Sequence, residues 1–432
     1  MQVKEYYNEE INERAYVSES NNGIKVFYFP KIGYTKKQAV FSTKYGSIDN
    51  KFIPIGENEI IEVPEGIAHF LEHKLFEEPK DNIFDIFSNR GASVNAFTSF
   101  NQTSYLFNST DYFYENLETL IKFVQNPYLT DENVEKEKGI ITQEINMYRD
   151  NPGWRVYFNL LEAMYVNHPV KIDIAGTEDS IKTINKELLY KAYDTFYHPH
   201  NMVLVLVGDL DFKRIMETVN ISEKTYDRVW NKIQRFMEEE PQRINKTRID
   251  EYMVTSAPTL FLGFKDLDIG HSGSKKIKND IISNILLDML LGSSSNFFNN
   301  LYNKGLIDGS FGGYYTSKST YGHSIISGET MDPERLYEEI MGLINQPSGK
   351  VLNINDFNRL KKNETGGFLT GFNSINFIAN NSTDLYFDDF MILDYLDLMK
   401  SIEFEEVVEK FENHFKGDNV SLSILWPKKF GE

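Results

Sequence analysis

Beyond Gly23 the side chains alternate. Ile24, Val26 and Tyr28 fall on one side of an extended segment and Lys25, Phe27 and Phe29 on the other, the period of two that predicts a strand. Residues 38–45 read as a second strand, closed by Gly46. Pro64 and Gly66 then introduce an apolar run with helical spacing over 67–76, stopped by Pro79. A short helix over 83–89 ends at Gly91, and strands follow at 94–99 and 104–108. Helical spacing returns over 111–125 and breaks before Pro127, because the residue ahead of a proline is pushed out of the helical region. Thr130 is an N-cap, with Asp131 and Glu132 in the first turn of a helix running to about Arg149. This half closes on a continuous apolar strand, 202–207, and the turn Gly208-Asp209.

Residues 237–247, with glutamates, Pro241 and then basic and polar residues, read as a linker. A strand-like start at 253–264 leads from it into a helical stretch at 277–291. Here the pattern repeats. Residues 83–91 line up with 297–305, and Phe97 lands on Phe311. A helix ending in Asn, a basic residue and Gly ahead of a strand is a capping arrangement. The pattern predicts an α+β chain of two homologous domains, residues 1–236 and 248–432, joined by 237–247. Each would be a mainly antiparallel sheet flanked by helices.

A length of 432 residues exceeds one ordinary core. The absence of cysteine excludes disulfides and thiolate metal ligands, so any metal must be held by histidine and carboxylate. A net charge of −19 argues against a nucleic-acid partner. It fits an acidic, soluble surface, or a preference for cationic substrates where acids line a cavity. No run approaches the roughly 18 apolar residues that span a bilayer, and residues 1–7 carry no apolar core of a secretory signal. The expected compartment is the cytoplasm, with no membrane partner.

His69-Phe70-Leu71-Glu72-His73 carries the chemistry. Positions i and i+4 share a helix face, so both imidazoles can reach one ion. Glu72 lies beside that face, where a carboxylate can take a proton from water without ligating the metal. The order His-x-x-Glu-His is the inverzincin one, and with histidine at only 8 positions a chance match is rare. Catalytic zinc takes three protein ligands. The helix after Thr130 offers Glu132, Glu135, Glu137 and Glu144 for the third. Glu137 and Glu144 stand two turns apart on one side. Glu144 lies among Ile140, Ile141, Ile145 and Met147, where a carboxylate needs a partner. Glu137 would then support the site from behind a ligand. Spacing alone does not decide between them.

These segments, with Gly91 to Thr98, His168-Pro169, Gly176-Thr177, His200-Asn201-Met202 and Gly208-Asp209, resemble the pitrilysin family. That family includes insulin-degrading enzyme and mitochondrial processing peptidase. The likeness covers essentially the whole chain and extends to bacterial cytosolic members of about this length that are encoded as pairs. It implies one zinc ion held by His69, His73 and Glu144, with Glu72 as general base and Glu137 as a supporting acid. It also implies that Asn95, Ala96, Phe97 and Thr98 form an edge strand pairing with the substrate backbone. The two domains would make half of a clamshell chamber. Active members carry an Arg and a Tyr in a later domain. The repeat places Tyr302 and Asp308 or Gly309 at those positions, so the pair is absent. A homologous partner subunit supplying it, or a homodimer, is therefore expected.

The second domain has Ser283, Leu286 and Leu287 opposite His69, Glu72 and His73, and is read as a chamber wall. His198-Pro199-His200 is read as a structural turn, and Phe97, Phe100 and Tyr105 as groove lining. The competing function is a non-catalytic peptide-binding or structural subunit. A closed structural zinc site is weaker, since it has no use for Glu72.

Overall fold

The computed structural model describes residues 2–77, 79, 82–224, 230–415 and 418–428. A seven-stranded sheet runs in the order Lys4–Asn8, Glu13–Glu19, Lys25–Pro30, Met202–Gly208, Lys37–Thr43, Thr103–Ser109, Ser93–Thr98. A five-stranded sheet runs Arg248–Met253, Val420–Pro427, Thr259–Lys265, Gly322–Glu329, Gly312–Ser317. The second order repeats the last five strands of the first. Each sheet has one parallel pair at the matching place, Lys25–Pro30 with Met202–Gly208 and Arg248–Met253 with Val420–Pro427. All other pairings are antiparallel. The α+β reading with two homologous halves holds.

The two strands at 4–8 and 13–19 have no counterpart among the described residues of the second half and were not legible as strands. The repeat also slips after Gly305. The strand Gly312–Ser317 starts later after its glycine than Ser93–Thr98 does after Gly91. Phe311 is therefore buried ahead of its strand, whereas Phe97 stands on its own and is 38% exposed.

Both sheets are covered on both faces, and the cover is exchanged. The strand Met202–Gly208 is buried throughout: Met202, Leu204 and Leu206 join the core of the first half. Val203, Val205 and Val207 face the other way, with Phe27, Phe29 and Val40, against Ile375, Ile378, Ala379 and Phe387. Those residues belong to the helix Ile375–Phe387 of the second half. Reciprocally, the helix Pro152–Met164 of the first half lies across the five-stranded sheet. Met164 sits so close to the strand Thr259–Lys265 that a Cβ on Gly263 would come within 2.5 Å of its sulfur. The segment read as a linker is tied down. Glu240 accepts the backbone N–H groups of Val166, Asn167 and His168 and pairs with Lys265. Among the described residues, no single helix is long and apolar enough to cross a membrane.

Candidate metal centre

The helix Ile67–Leu75 starts at Gly66, where φ is +83° and a Cβ would collide with the carbonyl oxygen of Ala175. Both conditions require glycine. Ser180, in the helix Glu178–Thr183 that Thr177 caps, donates to Glu65 O at 2.9 Å, so the Gly176-Thr177 segment fixes where the helix Ile67–Leu75 begins. Ile67, Phe70, Leu71 and Leu75 face the core, which turns His69 and His73 together toward the helix Asp131–Arg149. That second helix is set by a capping box between Thr130 and Asn133. Its side carrying Val134, Glu137, Ile141 and Glu144 meets the first helix.

The three ligand atoms converge. His69 Nε2 is 3.7 Å from Glu144 Oε1, and His73 Nε2 is 3.3 Å from Glu144 Oε2. The three side chains form a group able to hold one ion. Ligands bound at about 2.0–2.1 Å around a tetrahedral zinc lie about 3.3 Å apart, so the donors fit such an ion with little adjustment. Behind His73, its Nδ1 is 3.0 Å from Glu137 Oε1, the supporting hydrogen bond that metal-binding imidazoles usually make. His69 Nδ1 is buried with no hydrogen-bond partner among the described residues.

Electrostatics point the same way. Burial, reinforced by His73, pushes His69 down to about 4, so it offers a neutral ring. Burial opposes a charge on His73 too, but hydrogen bonds with Glu137 and Glu144 outweigh it and push that ring up to about 10. The hydrogen bond with His73 holds Glu144 down at about 2. Three carboxylates around two imidazoles make a place that draws positive charge. Glu72 differs from its neighbours: burial pushes it up. It stands outside the ligand trio, and the Thr98 hydroxyl donates to its Oε2 at 2.8 Å.

Thr98 ends the strand Ser93–Thr98, which among the described residues pairs only with Thr103–Ser109 and so leaves one backbone edge unpaired in its sheet. Asn95, Ala96, Phe97 and Thr98 thus share that edge, and Thr98 ties it to Glu72. Tyr105 does not line a groove. It is fully buried, with its hydroxyl 2.9 Å from that of Tyr197. Phe100 packs between the halves against Phe158 and Tyr321. His198 caps the short 3-10 turn Pro199–Asn201, and His200 stacks on Trp230 while His198 packs against it at a tilt. The apolar surroundings expected around Glu144 are also incomplete, since Ile140 and Met147 are 47% and 59% exposed.

Sequence reasoning missed two residues here. Tyr148, one turn beyond Glu144, helps hold that carboxylate's pKa down. Its ring stacks on Trp154, whose indole N–H donates to Asp173. Lys74 follows His73 and is fully buried. The one-turn spacing and a charge inside an apolar helix were the available signals.

Comparison with known proteins decides the family. The family described as Insulinase (Peptidase family M16) matches residues 56–178, and that described as Peptidase M16 inactive domain matches 183–363. The uncharacterised zinc protease YmfH of Bacillus subtilis (strain 168) is 42% identical, over 99% of this chain and 100% of its own. This chain belongs to peptidase family M16. Within that family, the crystal structure of an M16-like peptidase from Alicyclobacillus acidocaldarius superposes with a TM-score of 0.93 at 36% identity. It covers 96% of this chain and 99% of that one. A protease from Helicobacter pylori shares the fold, with a TM-score of 0.82 at 19% identity, over 96% of this chain and 100% of that one. M16 relatives named zinc proteases accord with a His, His, Glu centre.

Proposed function

We propose that this M16 chain is a zinc endopeptidase that cleaves peptides or unfolded segments, with His69, His73 and Glu144 as the metal ligands. The observation that carries the reading is the position of Glu72. It is a buried carboxylate beside the ligand trio but outside it, tethered by Thr98 to an unpaired strand edge. A zinc ion there would supply Lewis-acid polarisation of the scissile carbonyl and of water. An extended substrate pairs its backbone with Asn95 to Thr98, which brings its carbonyl to Glu72. Glu72 takes the proton of the attacking water and hands it to the departing amine nitrogen. Its raised pKa suits a group that must both accept and release a proton. Glu137 holds His73 by Nδ1 and keeps its Nε2 turned to the metal.

The two halves act as one side of a closed chamber. The Arg and Tyr that active relatives supply are absent around Tyr302 and Asp308, so a homologous partner subunit in the cytoplasm completes the site. A homodimer is the alternative assembly. Peptides of a few tens of residues are cut and stably folded domains are not.

Metal analysis and hydrolysis of a quenched peptide, with and without the homologous partner, test this reading. Glu72→Gln should retain metal and lose about 10²–10⁴-fold in turnover. A metal-loaded Glu72→Gln enzyme working near the wild-type rate would overturn the role of Glu72. Absence of both metal and hydrolysis in the wild type would favour a non-catalytic subunit.

A further inference from the structure

Lys74 is explained neither by metal holding nor by proton transfer. Its side chain is 0% exposed, although it sits one residue from His73 on the same helix. An ammonium is not left in such a place without compensating charge. Its partners are Glu77 and Glu137, whose Oε2 lies 3.5 Å from Nζ. The other oxygen of that same carboxylate, Oε1, is 3.0 Å from His73 Nδ1. One carboxylate is therefore shared between a fixed cation and the back of an imidazole. The immediate charge balance is simple. Glu72, Glu77, Glu137 and Glu144 contribute −4 and Lys74 +1, so a dication brings the sum to −1; without Lys74 the loaded centre would stand at −2.

We propose that Lys74 is a positioning residue that holds Glu137 between itself and His73 and limits how tightly the centre grips its metal. The inference rests on the metal-centre reading above. By drawing Glu137 toward itself, the ammonium withholds negative charge from the His73 ring. An imidazole polarised less strongly donates less to the ion, which stays a better acceptor for a carbonyl oxygen. The direct repulsion between ammonium and dication acts in the same direction. The centre gives up affinity and gains polarising power.

The test is zinc affinity, measured by chelator competition on the full chain. The proteins compared are the wild type, Lys74→Met, Lys74→Gln and Lys74→Arg. Gln keeps a hydrogen-bond donor for Glu137 and drops only the charge, so it carries the test where Met disturbs folding. Met and Gln should bind zinc about ten-fold or more tighter, with lower turnover, and Arg should stay within about three-fold of wild type. Measured against Glu137→Gln, the gain from Lys74→Met should shrink in Lys74→Met/Glu137→Gln to the part due to direct repulsion, because the rest runs through that carboxylate. The Co(II) absorption bands of Lys74→Gln should shift, which a purely structural lysine would not cause. A wild type that binds zinc alongside a folded Lys74→Gln that binds it no tighter overturns the proposal. A wild type that binds no zinc removes the metal-centre reading instead.

Discussion

The helix Ile67–Leu75 and the helix Gly273–Leu291 hold matching places in their halves, each packed against the edge strand of its sheet. In both, a strand hydroxyl meets a helix carboxylate: Thr98 to Glu72 Oε2 at 2.8 Å, and Ser317 to Asp280 Oδ1 at 2.6 Å. What surrounds that contact differs. The first half adds two imidazoles and Glu144. The second adds Lys276, whose ammonium lies 2.8 Å from both Asp280 Oδ2 and Asp388 Oδ2, with Lys318 also on Asp388. Counted from the N-caps Thr130 and Asn353, Glu137 and Glu144 correspond to Leu360 and Gly367. Ser283, Leu286 and Leu287, opposite the motif by sequence repeat, are buried, the two leucines in the second core. The scaffold thus places negative charge at the same point twice. In the second half tethered lysines neutralise it, whereas in the first Lys74 meets Glu137 and the His69, His73, Glu144 group is left able to hold an ion.

The sharpest way to break this contrast is to remove a ligand from each half. His69→Ala or Glu144→Gln should lose metal and fall to background hydrolysis. Asp280→Asn should keep a full metal complement and a rate within about three-fold of wild type. Metal analysis of the purified variants decides it, and loss of metal from Asp280→Asn would end the distinction. The tethered cation should show itself in stability instead. Lys276→Met leaves Asp280 without its ion-pair partner, and denaturant unfolding should record a loss of about 3 kcal/mol. Lys276→Met/Asp280→Leu should lose less, since both charges go together.

The joint between the halves should be acid-labile by a smaller margin. Burial above all pushes His168 down to about 4 and His323 down to about 3, against 6.5 unfolded. Below pH 6.5 the unfolded chain then binds more protons, so stability falls as pH falls. At pH 5.5 the two together cost about 2–3 kcal/mol. Thermal unfolding between pH 8 and 5.5 should drop accordingly, and a flat profile would show that these rings are charged in the fold. The smallest effect is expected for Tyr148→Phe. Losing the phenol's influence on Glu144 should lower turnover about three- to ten-fold with metal retained. A change in metal content would move Tyr148 from a supporting role toward that of a ligand determinant.

Legibility followed the distance over which the signal acts. His69, Glu72 and His73 could be read because one helical period gathers them. Glu144 could not be fixed locally. Its neighbours Ile140 and Met147 turned out exposed, and it is the crossing of two helices that brings it to His73. The repeat was readable as far as the glycine in left-handed conformation in each copy, Gly91 and Gly305, and was lost where the second half lengthens its loop. The apolar face of Pro152–Met164 announces that the helix is covered, but not that the other half's sheet covers it.

That exchange bears on how the chain is made. A polypeptide leaves the ribosome from its N-terminus at about 5–20 residues per second. The strand Met202–Gly208 is complete long before the helix Ile375–Phe387 that must shield its Val203, Val205 and Val207 face. For about 10–40 s the nascent chain carries an uncovered valine and phenylalanine surface with nothing of its own to put over it. The interval in which this face lacks its cover thus falls in biosynthesis, not in the finished fold.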